Sequence, residues 1–416
     1  MSLFQSALLR CRTPRANSVP RGSRYRYTKR RYRAAFRLLD SVGGLLTNFA
    51  RCFRPAPPRE EPRSILIVQL DHVGDAVLTT PVLAALRSRF PDAVIDVLAA
   101  PWNAPVFSGN PAVRHVHLSE HNWQARRPAQ RAFLAEVVRQ GRRLRRFQYD
   151  LAIDPRGDFF VVLTLWLAGI PRRLGWACGG GGFLLTDVAS WDAARHEFES
   201  RRVLLEAIDV APTGFQPELF PTWADRSAVR EMLAEIAGRR SPFVVVHASA
   251  GTPAKQWPLE HFSQLVGRLT RELGATVALV GATDDRSRGR WIAHTCPLVV
   301  DWTGRLSLLQ LASLLDETDV FIGGDSGPAH VAAAMGTPSI VLFSGTNRAE
   351  CWRPVGDEVV VLREAVPCSP CHLNACPIAG HPCMSGVRPA DVMEAVRGVL
   401  ARGRGDRTRR SCSAVA

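Results

Sequence analysis

From Ile65 onward the chain alternates short, nearly continuous apolar runs with longer stretches whose apolar positions recur every three or four residues. The runs ILIVQL, VIDVLAA and YDLAIDP predict buried strands, and VLAALRSRF, RAFLAEVVRQGRRLRRF and ESRRVLLEAI predict helices. A second series begins near Phe243, with VVVHAS, TVALVGA, PLVVDWTG, VFIGGD and SIVLFSG as strands and LEHFSQLVGRLTREL, LLQLASLLDE and GPAHVAAAMG as helices. Strands that are apolar throughout and separated by helices imply parallel sheets covered on both faces. Two such series predict an α/β protein of two Rossmann-like domains facing a central cleft. The joint falls within 212–242, where PTGFQPELFPTWADRS is rich in turn formers, giving domains at 62–235 and 236–401. Neither series has a G-x-G-x-x-G after its first strand. The run CGGGGF, which begins at Cys178, lacks that spacing and a following helix start, and reads as a mobile loop. FFVVLTLWLAGI (159–170) has the length of a buried core segment.

The charge pattern changes the picture at the ends. The formal net charge is +15, but residues 62–401 carry 34 Lys/Arg and 34 Asp/Glu. Residues 1–61 hold 14 Lys/Arg against 3 Asp/Glu, and 402–416 hold 5 against 1. A neutral body with basic tails argues against a folded nucleic-acid-binding face. It suits electrostatic tethering to an anionic surface. Within the basic N-terminal extension, Leu38, Leu39, Val42, Leu45, Leu46, Phe49 and Phe53 fall at helical spacing behind a cluster of Arg and Lys. Such a helix either lies in a membrane interface or packs its stripe on the protein, and Gly43-Gly44 weakens it in both cases. The Pro-rich RPAPPREEPR (54–63) is a linker. No stretch is long and apolar enough to span a bilayer, and Arg10 and Arg12 stand where a signal peptide needs an apolar core, so the expected location is cytoplasmic, peripheral on the inner membrane. Of ten cysteines, Cys368, Cys371, Cys376 and Cys383 fall within sixteen residues, with Cys351 upstream. In a reducing compartment these are free thiols or a structural zinc or iron site.

Three turns carry candidate chemistry. ILIVQLDHVGDAVLTTP breaks from a strand through Gly-Asp into a helix expected to begin near Ala76. Ligands in open α/β sheets bind at the carboxyl ends of strands, so Asp75 is a candidate general base; its plainer role is to cap the helix. In HASAGTPAKQWP, small residues admit a phosphate, Ser249 and Thr252 offer hydroxyls and Lys255 offers a charge; the plainer alternative is a solvated surface lysine. In GGDSGPAH (323–330) a helix opens near Pro328 with its positive end toward an anion. There Asp325 and Ser326 serve either a ligand or the helix cap, and His330 is a ligand-binding or a core histidine.

Four segments, 70–100, 149–176, 244–265 and 312–343, resemble in order and spacing glycosyltransferase family 9, typified by the heptosyltransferases of lipopolysaccharide core assembly. The resemblance implies the GT-B fold and an inverting transferase that needs no metal cofactor for catalysis, which agrees with the lack of an Asp-x-Asp pair. It implies an ADP-sugar donor, bound by Ser249, Thr252, Lys255, Asp325, Ser326, Gly327 and His330 of the C-terminal domain. Asp75 is then the base and Lys255 the group that meets the donor phosphates. Arg172 and Arg173 fall on the acceptor side, and the acceptor is an anionic, lipid-linked saccharide of the lipopolysaccharide inner core. A protein hydroxyl as acceptor, or a non-catalytic sugar-nucleotide-binding role, are the alternatives. The chain departs from the family in having Ala248-Ser249 for Pro-Gly and Ser344-Gly345-Thr346 for Gly-Pro-Thr, both beside the donor pocket.

Overall fold

The computed structural model describes residues 25–27, 29–53, 61–119, 130–212, 214–236, 238 and 242–413. Residues 1–24, most of the Pro-rich linker and 414–416 lie outside them, as do the side chains of Phe49 and Phe53 and those of the basic C-terminal stretch beyond Arg402. The chain divides into two compact units that change over between Phe220 and Pro221.

In the first unit six parallel strands, β1 (Ser64–Gln69), β2 (Val94–Ala99), β3 (His115–Leu118), β4 (Leu151–Asp154), β5 (Arg172–Gly175) and β6 (Asp187–Val188), lie in the order β3-β2-β1-β4-β5-β6. In the second, β7 (Phe243–His247), β8 (Thr276–Val280), β9 (Val300–Asp301), β10 (Val320–Gly324), β11 (Ser339–Phe343) and β12 (Val359–Arg363) lie in the order β12-β11-β10-β7-β8-β9. Counted from its own first strand, each sheet has the same order. Every pairing is parallel, so each crossover must pass over a face of the sheet, mostly as a helix. Helices on both faces explain why Ile65, Leu66 and Ile67 are all fully buried, although neighbours point to opposite sides. Full burial of each such side chain contributes about 1.5–3 kcal/mol. The second core joins Val244, Val246 and Ile322 to Leu265, Val266 and Leu269 of the helix Leu259–Leu273 and to Val392 and Val396 of the helix Pro389–Ser413.

Two expectations are corrected. The helix Trp223–Ala234, assigned from the sequence to the first domain, belongs to the second unit: it packs on the helix Leu308–Asp316, and Arg226 meets Asp316 at 2.7 Å. The change of unit thus falls within the 212–242 stretch, at the turn formers that precede this helix. The glycine run is not a mobile loop. It forms two short 3-10 turns, Ala177–Gly179 and Gly182–Leu184, and Cys178 through Gly181 are buried. Its glycines serve close packing: a Cβ on Gly179 would overlap the carbonyl oxygen of Gly157, and one on Gly180 would overlap the ring of Phe36. We therefore expect Gly179→Ala to destabilise the first unit by about 1–3 kcal/mol or to shift the backbone around Gly157. Urea unfolding followed by circular dichroism measures this, and a midpoint equal to that of the parent chain would restore the loose-loop reading.

Candidate active site

In each sheet the first strand is flanked by the second and fourth, the place where crossovers leave toward opposite faces and a crevice opens at the carboxyl edge. In the first unit this edge carries Asp75. After β1 the chain runs through Leu70 and Asp71 to His72, which precedes the helix Val73–Arg89 with extended backbone angles and no side-chain cap. The helix begins three residues earlier than its pattern suggests, so Asp75 sits inside the first turn. Its Oδ1 lies 3.5 Å from Nη2 of Arg201. Arg201, only 2% exposed, comes from the helix Glu197–Glu206 and donates to Thr79 Oγ1 (2.9 Å) and Glu197 Oε2 (2.8 Å). Thr79 Oγ1 is 2.8 Å from the Asp75 carbonyl. A buried cation thus holds the turn and faces the Asp75 carboxylate.

Asp71, on the same turn, is ion-paired with Arg156, and its carbonyl accepts from Trp102 Nε1 (2.8 Å) and Asn103 Nδ2 (2.7 Å). Arg156 lies on the turn after β4, where Asp154 accepts the backbone N–H of Arg156 (3.0 Å) and of Asp158 (3.1 Å). Asp154 is fully buried, and burial pushes its carboxyl up to about 7 against the pull of those hydrogen bonds.

Arg172 and Arg173 are not brought to this edge. They open β5, level with Leu151 and hence with Ile65, while Asp75 follows the far end of β1. At about 3.3 Å per residue, some 13 Å of strand separates the two ends. Both guanidiniums serve the sheet: Arg172 pairs with Asp187 of β6 (3.1 and 3.2 Å), and Arg173 donates to the carbonyls of Leu184 (2.6 Å) and Ile170. Their expected acceptor role is withdrawn on these grounds.

In the second unit the carboxyl ends of β7 and β10 bring the donor candidates together. Lys255 closes a 3-10 turn, Pro253–Lys255, and its Nζ donates to Asp325 Oδ2 at 2.6 Å. Asp325 is 7% exposed and also accepts from Asn347 Nδ2 (3.1 Å). Ser326 stands at the start of the helix Gly327–Ala334 but makes no side-chain cap; its Oγ lies 3.4 Å from His247 Nδ1. The capping alternative for Ser326 therefore fails. His247 Nε2 is 3.9 Å from Asp285 Oδ2. Burial opposes the charge of Asp285, but the nearby polar groups of His247 and Ser249 and the hydrogen bond from the Ala282 amide (2.8 Å) outweigh it and bring its pKa down to about 2. Ser249 is buried, Thr252 half-buried at the head of the 3-10 turn, and His330 buried on the helix that Gly327 opens. The lysine loop is braced from two sides: Arg288 Nε donates to the Ala248 carbonyl (2.7 Å), and His381 Nε2 lies 3.1 Å from the Ala254 carbonyl.

The cysteine cluster is a candidate metal site from the sequence. Among the described residues no three His, Cys, Asp or Glu side chains are grouped to hold an ion. Cys383 is buried in the apolar core beside Met384, where burial pushes its thiol up, and Cys368, Cys371 and Cys376 are half-buried free thiols. The segment is instead pinned by main-chain bonds: Cys371 N to the Gly345 carbonyl (2.9 Å), His372 N to that of Thr346 (3.1 Å), and Ala254 N to that of Asn374 (3.0 Å). It thereby buttresses the loop of Lys255 and the Ser344–Thr346 turn, whose hydroxyls meet at 2.7 Å.

Sequence reasoning missed Asp71, Arg156, Arg201, His247, Asp285, Arg288 and Asn347. One signal was present for Arg201: in the helix Glu197–Glu206 it shares the apolar stripe of Phe198, Leu204 and Leu205. A charged residue on a buried stripe requires a partner.

The raised carboxyl of Asp154 gives a pH prediction. It is neutral in the folded chain and ionised in the unfolded chain between the ordinary aspartate value of about 3.9 and about 7. Its contribution is therefore full below about 3.9, declines as pH rises and is lost above about 7. Asp154→Asn cannot ionise, so its urea midpoint should fall less between pH 5 and pH 8 than that of the parent chain. Parallel pH profiles would contradict the assignment.

Comparison with known proteins places the chain in a family. The model of glycosyltransferase family 9 (heptosyltransferase) matches residues 137–381. Lipopolysaccharide heptosyltransferase 3 of Escherichia coli is 28% identical over 301 residues, covering 69% of this chain and 85% of that protein. The solved structure of E. coli ADP-heptose lps heptosyltransferase II has a TM-score of 0.67 at 25% identity, over 82% of this chain and 99% of that one. A glycosyl transferase family 9 structure from Veillonella parvula DSM 2008 shares the fold, with a TM-score of 0.70 at 19% identity over 82% of this chain and 98% of that one. With two parallel Rossmann-like units of GT-B type and a family match over more than half its length, the chain belongs to glycosyltransferase family 9.

Proposed function

We propose that the chain transfers a heptose, or a related sugar, from an ADP-sugar to a lipopolysaccharide inner-core acceptor with inversion at the anomeric carbon. The observation that carries this reading is the Lys255–Asp325 pair, 2.6 Å apart at the carboxyl edge of β7 and β10 and next to the opening of the helix Gly327–Ala334. A cation and a helix N-terminus together suit a diphosphate. The relatives named above, a lipopolysaccharide heptosyltransferase and an ADP-heptose heptosyltransferase, supply the sugar, nucleotide and acceptor class.

In the reaction the acceptor oxygen attacks the anomeric carbon and gives its proton to Asp75, while the bond from that carbon to the diphosphate oxygen breaks. The departing ADP gains negative charge. Lys255 exchanges part of its contact with Asp325 for that charge, and the first-turn amides of the Gly327 helix add theirs. Asp325, still held by Asn347, is free to accept hydrogen bonds from sugar hydroxyls. Ser249, Thr252, Ser326 and His330 complete the donor set. These side-chain and backbone charges take the part that a divalent cation plays in other glycosyltransferases. In this reading the enzyme works at the cytoplasmic face of the inner membrane, where an anionic, lipid-linked acceptor is presented.

Asp75→Asn retains size and hydrogen-bonding capacity but cannot take the proton. Turnover should fall by at least about a hundredfold with donor affinity little changed. Near-normal turnover would remove Asp75 from the chemistry. Lys255→Ala should weaken ADP by at least about tenfold while leaving adenosine nearly unaffected, because only ADP presents the charge. Titration calorimetry with both ligands decides this, and equal losses would show that Lys255 acts through packing.

A further inference from the structure

The helix Arg30–Phe53 has two opposed faces. Its inner face lies on the first unit: Phe36 stacks on Tyr27 and packs on Phe159, Asp40 accepts from Tyr25 Oη (2.8 Å) and the Gly181 amide (2.7 Å), and Gly43 lies against the Phe183 ring. A Cβ on Gly43 would stand 2.5 Å from that ring, so glycine here permits the close approach of the helix. The pair Gly43-Gly44, which weakens an isolated helix, is thus half explained by docking.

The outer face is apolar and open. Leu38 is 68% exposed, Leu45 73% and Leu46 66%, with Leu39 and Val42 also exposed. At 3.6 residues per turn these five cluster roughly 130° around the helix from the docked residues and span about 12 Å along it. Exposed Lys29, Arg30, Arg31 and Arg37 flank them. Among the described side chains, Asp40 is the one acidic residue of the helix, and it is turned inward and hydrogen-bonded. The outward surface therefore combines leucine side chains with positive charge alone.

We propose that this outer face is an interfacial anchor that seats the first unit on an anionic lipid surface. The charge complement selects the occupant. An anionic bilayer interface accepts leucines in its acyl boundary and basic groups among its headgroups, whereas a second copy would bring an equal set of positive charges against the first. No helix among the described residues is long and apolar enough to cross a membrane, so this one lies in the plane of the interface. Its anchorage is on the working edge of the sheet. Arg26, just before the helix, donates to the Arg156 carbonyl (3.0 Å) and to Asp158 (3.2 Å), and Arg156 pairs with Asp71 on the Asp75 turn. Lipid binding here does not depend on which acceptor the enzyme uses.

The test is flotation of the full chain with vesicles of phosphatidylcholine alone and of phosphatidylcholine with an equal part of phosphatidylglycerol. The chain should float with the mixed vesicles and far less with the neutral ones. A variant with Leu38→Ser, Leu45→Ser and Leu46→Ser keeps every charge. It should lose at least about tenfold in binding, with an unchanged thermal unfolding midpoint. A second variant, Arg30→Gln, Arg31→Gln and Arg37→Gln, should lose the preference for the anionic vesicles. Binding of the serine variant equal to that of the parent chain would overturn the proposal and assign any attraction to the basic tails alone. Failure of the parent chain to float, or a dimer seen by sedimentation that the serine variant abolishes, would overturn it equally.

Discussion

Parallel pairing with one shared strand order is the constraint on which the rest depends. It sends every first-strand carboxyl end to a point where crossovers part, and there the sheet cannot fill the space with its own helices. The turns after β1 and β4 and those after β7 and β10 are therefore where polar side chains can be both ordered and accessible. Asp71, Asp75 and Arg156 occupy the first such edge; Lys255, Asp325 and Ser326 occupy the second. Without a fixed register, none of these pairs would meet across 70 to 126 positions of sequence.

Within each edge, buried charge decides geometry. Arg201 is almost wholly inaccessible, yet it reaches Asp75, Thr79 and Glu197 at once, which fixes where the Asp75 turn can lie. A buried cation with good partners is costly to remove one partner at a time, so this constellation resists drift. The second edge uses two braces on a single loop, Arg288 and His381, and both bind backbone carbonyls. That choice holds the loop without consuming the Lys255 charge. The cysteine-rich segment takes part in the same bracing through main-chain bonds.

Much of this was legible in the sequence, and the misses share a cause. Strands β1, β2, β7, β10 and β11 announce themselves because both their faces are buried; Asp325 follows β10 directly, and Lys255 lies in the loop after β7. Strands β3 and β5 do not. They carry His117, Arg172 and Arg173, whose polar groups are satisfied by partners outside their own strands: Tyr149 Oη is 2.9 Å from His117, Asp187 takes Arg172, and the Leu184 carbonyl takes Arg173. A pattern of polar positions cannot reveal that pairing. The same holds for the glycine run, read as mobile because its packing against Phe36 and Gly157 is tertiary, and for Arg172 and Arg173, whose place at the amino end of β5 follows from register alone.

The account turns on a nucleotide diphosphate site at the carboxyl edge of β7 and β10. Its most direct test is thermal unfolding of the purified chain with a panel of ADP-sugars, UDP-sugars and the free nucleosides. A ligand bound only by the folded state raises the transition by mass action, about 2.7 kcal/mol at a hundredfold excess over its dissociation constant. The account predicts strong protection by ADP-heptose, weaker protection by ADP and almost none by adenosine. Protection by UDP-sugars equal to that by ADP-heptose, or protection by adenosine equal to that by ADP, would contradict it.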